Sequence, residues 1–174
     1  MKINSIMSRI LGHGPVGLID YLPPDLDEVA RSGWIVGPSG TLLLKSLWGG
    51  GWRKNISTSE VGSYEYEVND VYVPLSDLVQ NEAKYLNSAA ARCLSFAARM
   101  LRDAATLPGA ESLLTIVSVF VDEEDEEFFL QGANVRFFSR RGDYPNWFED
   151  LGRYQKEAIA VVDIADLAEF GSLP

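Results

Sequence analysis

Hydrophobic side chains recur at helical spacing over residues 77–106, the longest periodic segment in the chain. Apolar positions follow one another at intervals of three or four residues, and the pattern stops at Pro108-Gly109, a pair that typically ends helices. These positions are Leu78, Leu86, Ala89, Cys93, Ala97, Met100 and Ala104. The pattern predicts a long central helix whose alanine-rich side lies against a sheet, with Cys93 buried between them.

Several shorter segments have the composition of β-strands, because β-branched and aromatic residues dominate them. Residues 34–48 predict two strands joined by a turn at 37–40. Further strands are predicted over 112–121, over 127–139 either as one bulged strand or as two strands broken at Gly132, and over 158–162. Strands that stand before and after one long helix favour an α+β fold over alternating βαβ units.

One more strand is predicted over residues 63–73, on the basis of alternation. Tyr64 and Tyr66 alternate there with Glu65 and Glu67, which is the pattern of a half-buried strand. With the other strands it would build an antiparallel or mixed sheet. We therefore expect a single domain over residues 1–174, with the sheet packed against the long helix and with short helices mainly on one face.

Two short helices are predicted near the start of the chain from their capping residues. Asn4 or Ser5 caps the first, and Gly12 ends it. Asp25 is expected to cap the second, with Glu28 three residues later completing a capping box.

The net charge of the chain indicates which classes of partner it would attract and which it would repel. The 174 residues include 25 acidic and 15 basic side chains, for a formal net charge of -10. Such a field disfavours binding to nucleic acid or to an anionic membrane and attracts a basic partner. We find no signal peptide or transmembrane segment, and the single cysteine cannot form an internal disulfide, so we expect a cytoplasmic protein.

Motifs for catalysis or cofactor binding are weak. His13 is the only histidine, and Gly12, Gly14 and Gly17 match a dinucleotide-binding pattern without the strand and long helix which that pattern needs. We therefore expect no cofactor, no metal and no enzymatic activity. A hydrolase with two facing carboxylates remains an alternative, because 25 acidic residues allow many pairs.

Six consecutive carboxylates stand between two predicted strands, and we call them the acidic run. They are Asp122, Glu123, Glu124, Asp125, Glu126 and Glu127. One interpretation is a solvated connection between strands, since charge runs are usually hydrated surface. Glutamate, however, offers no conformational advantage in a turn. The other interpretation is an anionic surface that complements a basic cleft on a partner, such as the cleft in which a nuclease binds its substrate.

A second candidate surface mixes aromatic and acidic residues over 142–150. Its members are Asp143, Tyr144, Trp147, Glu149 and Asp150. One interpretation is a loop held to the core by Trp147. The other is an interface centre with an acidic rim, since interface centres are enriched in aromatic residues.

In overall character, the acidic single domain with its runs "DEEDEE" (122–127) and "GDYPNWFED" (142–150) resembles the immunity proteins of bacterial contact-dependent growth inhibition. This resemblance implies a cytoplasmic inhibitor, monomeric before complex formation, that binds the C-terminal toxin domain of an effector, often a nuclease. The net charge adds that the toxin domain is basic. An alternative inhibitor is a phage- or plasmid-borne nucleic-acid mimic, which would act on several DNA-binding proteins.

Overall fold

A computed structural model describes residues 1–12, 17–121, 132–141, 147–168 and 170 of the chain. Within these residues the α-helices are α1 (Ser5–Leu11), α2 (Pro24–Ser32), α3 (Val61–Val68) and α4 (Tyr85–Ala104). The strands of the same part are β1 (Lys2–Ile3), β2 (Trp34–Val36), β3 (Leu42–Leu44), β4 (Asp70–Val73), β5 (Leu113–Phe120), β6 (Ala133–Ser139) and β7 (Glu157–Asp163). Helices combine with strands that, in this part of the chain, pair only in antiparallel fashion, which confirms the α+β prediction.

In the described part of the chain, one antiparallel sheet contains five strands in the order β1-β7-β5-β6-β4. Strand β5 lies at its centre and pairs along most of its length with β6 on one side and β7 on the other. Strands β2 and β3 form a separate two-stranded hairpin. The strands predicted over 34–48, 112–121 and 158–162 are therefore confirmed.

Helix α4 covers one face of the five-stranded sheet, which we call the inner face. Cys93, Phe96 and Ala97 of this helix belong to the same buried cluster as Val117 of β5 and Val135 of β6. The predicted burial of Cys93 against the sheet is confirmed, since its side chain is fully buried. Small alanine side chains let the helix approach the strands closely, so this stripe forms the main core.

The strand predicted over 63–73 is wrong for its first half, where the chain forms α3; only its last residues form β4. The reason is the burial of Glu65, which the alternating pattern had assigned to the solvent side. Its carboxylate accepts hydrogen bonds from the backbone N–H groups of Leu42 (2.6 Å) and Ser139 (2.5 Å). These long-range acceptor contacts belong to the tertiary structure and leave no trace in local periodicity.

The long helix predicted over 77–106 is α-helical only from Tyr85 to Ala104. The preceding residues, Ser76–Lys84, form tighter 3-10 turns. Arg92 of α4 reaches back to this segment and donates two hydrogen bonds to the Asp77 carboxylate, at 2.7 and 2.6 Å. The ion pair holds the 3-10 segment against α4 and shortens the regular helix.

The predicted cap of the first helix is confirmed, and the predicted cap of the second helix is wrong. The Asn4 side chain accepts a backbone N–H of the first turn and caps α1. In contrast, the cap at Asp25 and the capping box with Glu28 are wrong, because α2 begins at Pro24 after Pro23 and has no side-chain cap. The Asp27 N–H donates to the Pro23 carbonyl (2.9 Å), and proline at the first helical position favours the start of a helix there because its fixed φ suits the helix.

Candidate functional site

The outer face of the sheet, turned away from α4, has an apolar half and a polar half. An apolar cluster covers the end where β5 begins; its members are Ile116, Phe138, Phe148, Leu151, Ile159 and Val161. Toward the other end, the strand register brings polar side chains together on this face. We call them the polar half of the outer face, and they are Asp70, Tyr72, Ser118, Asn134, Arg136 and Glu157.

Arg136 is held in one orientation at the centre of the polar half. Its guanidinium donates to the Asp70 carboxylate (2.7 Å) and to the Tyr66 hydroxyl (2.9 Å), and it lies 5.0 Å from the centre of the Tyr66 ring. Asn134 donates a further hydrogen bond to Asp70 at 3.1 Å. Partial burial lowers the pKa of Arg136, but the hydrogen bonds and charge of Asp70 outweigh this effect and leave the pKa raised. The Asp70–Arg136 pair is therefore a charge-balanced, ordered unit.

Glu157 supplies a negative charge that this unit does not balance. Its half-buried side chain accepts a hydrogen bond from the Ser118 hydroxyl on the neighbouring strand. Within the described residues Glu157 makes no ion pair. An open concavity of about 280 Å³ is lined by Glu157, Ser118, Asn134 and Arg136. The concavity thus presents the Glu157 carboxylate together with a hydroxyl, an amide and the guanidinium of Arg136, whose charge Asp70 balances.

Tyr72 stands beside the concavity as an exposed aromatic side chain on the edge strand β4, with 59% of its surface accessible. Its ring lies directly against Gly132, where an added Cβ would be only 2.5 Å from the ring. Gly132 also has a φ of +74°, a conformation that side chains rarely adopt. The positive φ favours glycine here, and a side chain at this position would require the exposed Tyr72 ring to shift.

The sequence carried a signal for part of this surface. In β6, Asn134 and Arg136 alternate with Val135 and Phe137, which is the pattern of a strand with one polar face. Sequence reasoning identified the strand but did not assign a role to its polar side. The partners that Asp70 and Ser118 find across the sheet depend on strand pairing, which the sequence pattern does not reveal.

The acidic run, Asp122–Glu127, lies outside the described residues, but the chain on either side of it is described. Backbone hydrogen bonds join Phe120 to Gly132 (3.3 Å) and Val121 to Lys156 (2.8 Å). Both Phe120 and Gly132 line the concavity. The segment that contains the acidic run therefore begins and ends at the polar half of the outer face.

The second predicted surface, residues 142–150, is described only in part. Asp143 and Tyr144 lie outside the described residues, as does the side chain of Trp147, whose backbone begins a 3-10 turn. The neighbouring Phe148 is 4% exposed and belongs to the apolar cluster, so this residue holds the segment to the sheet.

Glu149 and Asp150 are described, and both have local partners. Glu149 pairs with Arg140 at 2.8 Å and lies 3.8 Å from the Lys2 ammonium, while Asp150 accepts a hydrogen bond from the backbone of Gly152. Glu149 sits near the start of β5, about 20 Å along the strand from the point where the acidic run leaves it. The described residues of the second surface therefore lie away from the residues that flank the acidic run, and the partner contacts of both surfaces stay predictions.

Two buried titratable groups lie away from the polar half. Burial raises the pKa of the Glu65 carboxyl, although backbone hydrogen bonds from Leu42 and Ser139 oppose the rise. Burial also raises the pKa of the Cys93 thiol to about 12. The Glu65 oxygens are occupied by backbone donors, and the Cys93 thiol is packed in the core, which gives both groups a structural role.

The described ranges contain no group of three or more histidine, cysteine, aspartate or glutamate side chains placed to hold a metal ion. They also contain no helix with the length and apolar character needed to cross a membrane.

Comparisons with protein-family models, with curated proteins and with solved structures find no match to this chain. The function is therefore inferred from the residues of the chain itself.

Proposed function

We propose that the protein is an immunity protein that binds and neutralises a basic toxin domain of the nuclease class. The observation that carries the proposal is the place where the chain enters and leaves the segment that contains the acidic run. Its segment begins and ends at the polar half of the outer face, next to the unbalanced carboxylate of Glu157 and the exposed ring of Tyr72. Charge that attracts a basic partner and side chains that could bind it would then belong to one continuous surface.

The distribution of charge along the chain supports a basic partner. The six residues of the acidic run account for most of the excess of acidic over basic side chains; without them, 19 acidic and 15 basic residues would leave a net charge of only -4. A concentrated charge speeds the association of an oppositely charged protein. Nucleases suit this description because they bind a polyanion in a basic cleft.

The polar half of the outer face supports the second step, which is tight binding after encounter. Tyrosine and arginine are the residues most often found at the energetic centre of an interface. Arg136 is already ordered by Asp70 and Tyr66, so little side-chain entropy would be lost there on binding. Glu157 would accept a lysine or arginine of the toxin domain within the concavity.

The proposal is tested by measuring association with the C-terminal toxin domain of the effector encoded beside this protein, at two salt concentrations. Replacing Glu123, Glu124 and Glu126 by lysine should slow association and invert its salt dependence. A control with the same change in charge replaces Asp20, Asp103 and Glu111, which are exposed elsewhere. The control should associate within about threefold of the original protein.

Two further variants test the binding free energy separately from electrostatic steering. Tyr72→Ala should cost about 2 kcal/mol of binding free energy and act mainly on the dissociation rate. Glu157→Gln should cost about 1 kcal/mol of binding free energy.

If the triple-lysine variant binds and protects cells as well as the control does, the proposal is wrong. A nucleic-acid mimic would instead inhibit several unrelated DNA-binding proteins, so the cognate toxin domain is compared with such a panel.

A further inference from the structure

A long segment of this acidic protein contains no acidic residue. Residues 29–59 have neither aspartate nor glutamate, although the chain contains 25 of them. The same segment has four basic residues and three of the four tryptophans. It folds as the hairpin β2–β3 followed by an irregular loop over residues 45–57. Charge and aromatic content therefore set this part of the molecule apart from the rest.

The loop is ordered by its own aromatic side chains. The rings of Trp48 and Trp52 lie 5.1 Å apart, centre to centre, with a tilt of 33°. Trp52 also lies against Gly37 of the hairpin, where an added Cβ would be 2.1 Å from the ring. The indole N–H of Trp48 donates to the carbonyl of Gly51 at 3.2 Å. The two tryptophans thus fold the loop back onto the hairpin.

These tryptophans belong to a partly exposed apolar surface. Val36 is 41% exposed and Leu47 is 38% exposed, while Trp48 and Trp52 are half-buried. None of the four belongs to either of the two buried clusters on the sheet. We call Val36, Leu47, Trp48 and Trp52 the tryptophan surface. Trp48 and Trp52 are in contact, Val36 precedes the Gly37 against which Trp52 packs, and Leu47 precedes Trp48. Tryptophan is a frequent interface anchor.

Basic side chains accompany the tryptophan surface. Lys45 and Lys54 are exposed and make no ion pair with any residue that the structure describes. Arg53 lies 4.9 Å from the centre of the Tyr64 ring and 3.4 Å from the Glu67 carboxylate, which balances part of its charge. A partner for this surface must therefore combine apolar groups with negative charge.

We propose that the tryptophan surface binds an acidic segment of a protein partner. Two features favour a protein over a nucleic acid. The tryptophan rings already face each other and Gly37, so stacking with bases is limited. Val36 and Leu47 offer aliphatic area, which suits apolar side chains.

This surface is separate from the one proposed to bind the toxin domain. Arg141, which follows β6, donates hydrogen bonds to the carbonyls of Ser39 (2.6 Å) and Gly40 (2.8 Å) and fastens the hairpin there. The segment that contains the acidic run joins β6 at the other end of this strand, roughly 25 Å away along it. The inference does not depend on the toxin-binding proposal, because the two surfaces call for partners of opposite charge.

The test uses the full chain and three defined probes in tryptophan-fluorescence titrations at low and physiological salt. The first probe is a blocked twelve-residue peptide of alternating glutamate and leucine, the second has glutamine in place of glutamate, and the third is a twelve-nucleotide oligothymidylate. We expect saturable binding of the acidic peptide below about 1 mM, binding at least roughly tenfold weaker for the glutamine peptide, and none for the oligonucleotide.

Matched variants assign the binding to this surface. Lys45→Glu with Lys54→Glu should weaken acidic-peptide binding at least roughly tenfold, while Lys84→Glu with Arg153→Glu, which changes the net charge equally, should change it less than about threefold. Trp48→Ala should weaken binding as well, whereas Tyr21→Ala, at an exposed aromatic elsewhere, should not. Absence of saturable binding, tighter binding of the oligonucleotide, or an equal loss in both charge variants would overturn the inference.

Discussion

The two ends of strand β6 differ in the chemistry that they expose and in the way they are built. At its first residue, Ala133, the strand adjoins the polar half of the outer face and the segment that contains the acidic run. Beyond its last residue, Ser139, it meets the hairpin that carries the tryptophan surface. The segment that contains the acidic run joins the first end, and the segment without acidic residues lies at the second.

The two ends of β6 are also held in place by different kinds of hydrogen bond. At the first end, backbone ladders of the five-stranded sheet position every residue of the polar half. At the second end, side chains join the hairpin to the sheet: Glu65 accepts the N–H of Leu42, and the Asn69 amide bonds the backbone of Leu42 and Leu44. One substitution can remove a side-chain acceptor, whereas a backbone ladder survives most substitutions. The hairpin end is therefore the more vulnerable of the two.

Glu65→Leu should produce the largest effect and act on the hairpin end. It leaves the buried N–H groups of Leu42 and Ser139 without acceptors, which should lower the free energy of unfolding by about 3 kcal/mol. Urea denaturation measures the loss. Glu67→Leu on the same helix is the control and should change stability by less than about 0.5 kcal/mol, because Glu67 is exposed. Equal stability of the two variants would contradict the assigned role of Glu65.

The contribution of Glu65 to the stability of the fold should change with pH in a definite direction. Because burial raises the pKa of Glu65 in the folded state, that state binds more protons than the unfolded chain between the two pKa values. The contribution of Glu65 to stability should therefore decrease as the pH rises from its unfolded value near 4.5 through the folded value. Glu65→Gln should remove this decrease, as measured by urea denaturation at a series of pH values.

Asp77→Asn should produce a smaller effect, near the end of β4 that adjoins the polar half. Arg92 is 3% exposed and would lose its charged partner, but Asp77 itself faces solvent, so we expect a loss of about 2 kcal/mol. The hydrogen bonds from Arg92 lower the pKa of Asp77. The pair therefore stabilises the fold above pH 3.8, and its contribution is lost as the pH falls through the folded pKa. A wild-type protein with no more acid sensitivity than the variant would refute this account.

Gly132→Ala should have the smallest effect on stability, about 1 kcal/mol, and a specific effect at the toxin-binding end. The positive φ and the contact with Tyr72 both oppose a side chain at this position. Gly49→Ala is the control, since nothing lies within 4 Å of its added Cβ. We expect the Gly132 variant to weaken binding of the toxin domain while acidic-peptide binding stays unchanged. Loss of both activities would show that the two surfaces are not independent.

The elements that sequence patterns identified correctly are those in which local periodicity and burial coincide. The β-branched runs of β5 and β7 and the apolar stripe of α4 around Cys93 are all buried as the patterns indicate. The prediction failed over α3 because one of its buried residues, Glu65, is a carboxylate. A signal for its start was present, however: Ser57 and Glu60 form a capping box immediately before it. Weighing that motif against the tyrosine–glutamate alternation would have favoured the helix.

The sequence by itself determined the α+β class, the main core elements, the excess of negative charge and its concentration in Asp122–Glu127. Only the tertiary structure decided which polar residues stand together, because Asp70, Ser118, Arg136 and Glu157 come from four different strands. It also decided that Glu65 is buried and that Glu149 is paired with Arg140. The physical reason is that periodicity follows from the geometry of one helix or strand, whereas these neighbours are set by pairing between distant segments of the chain.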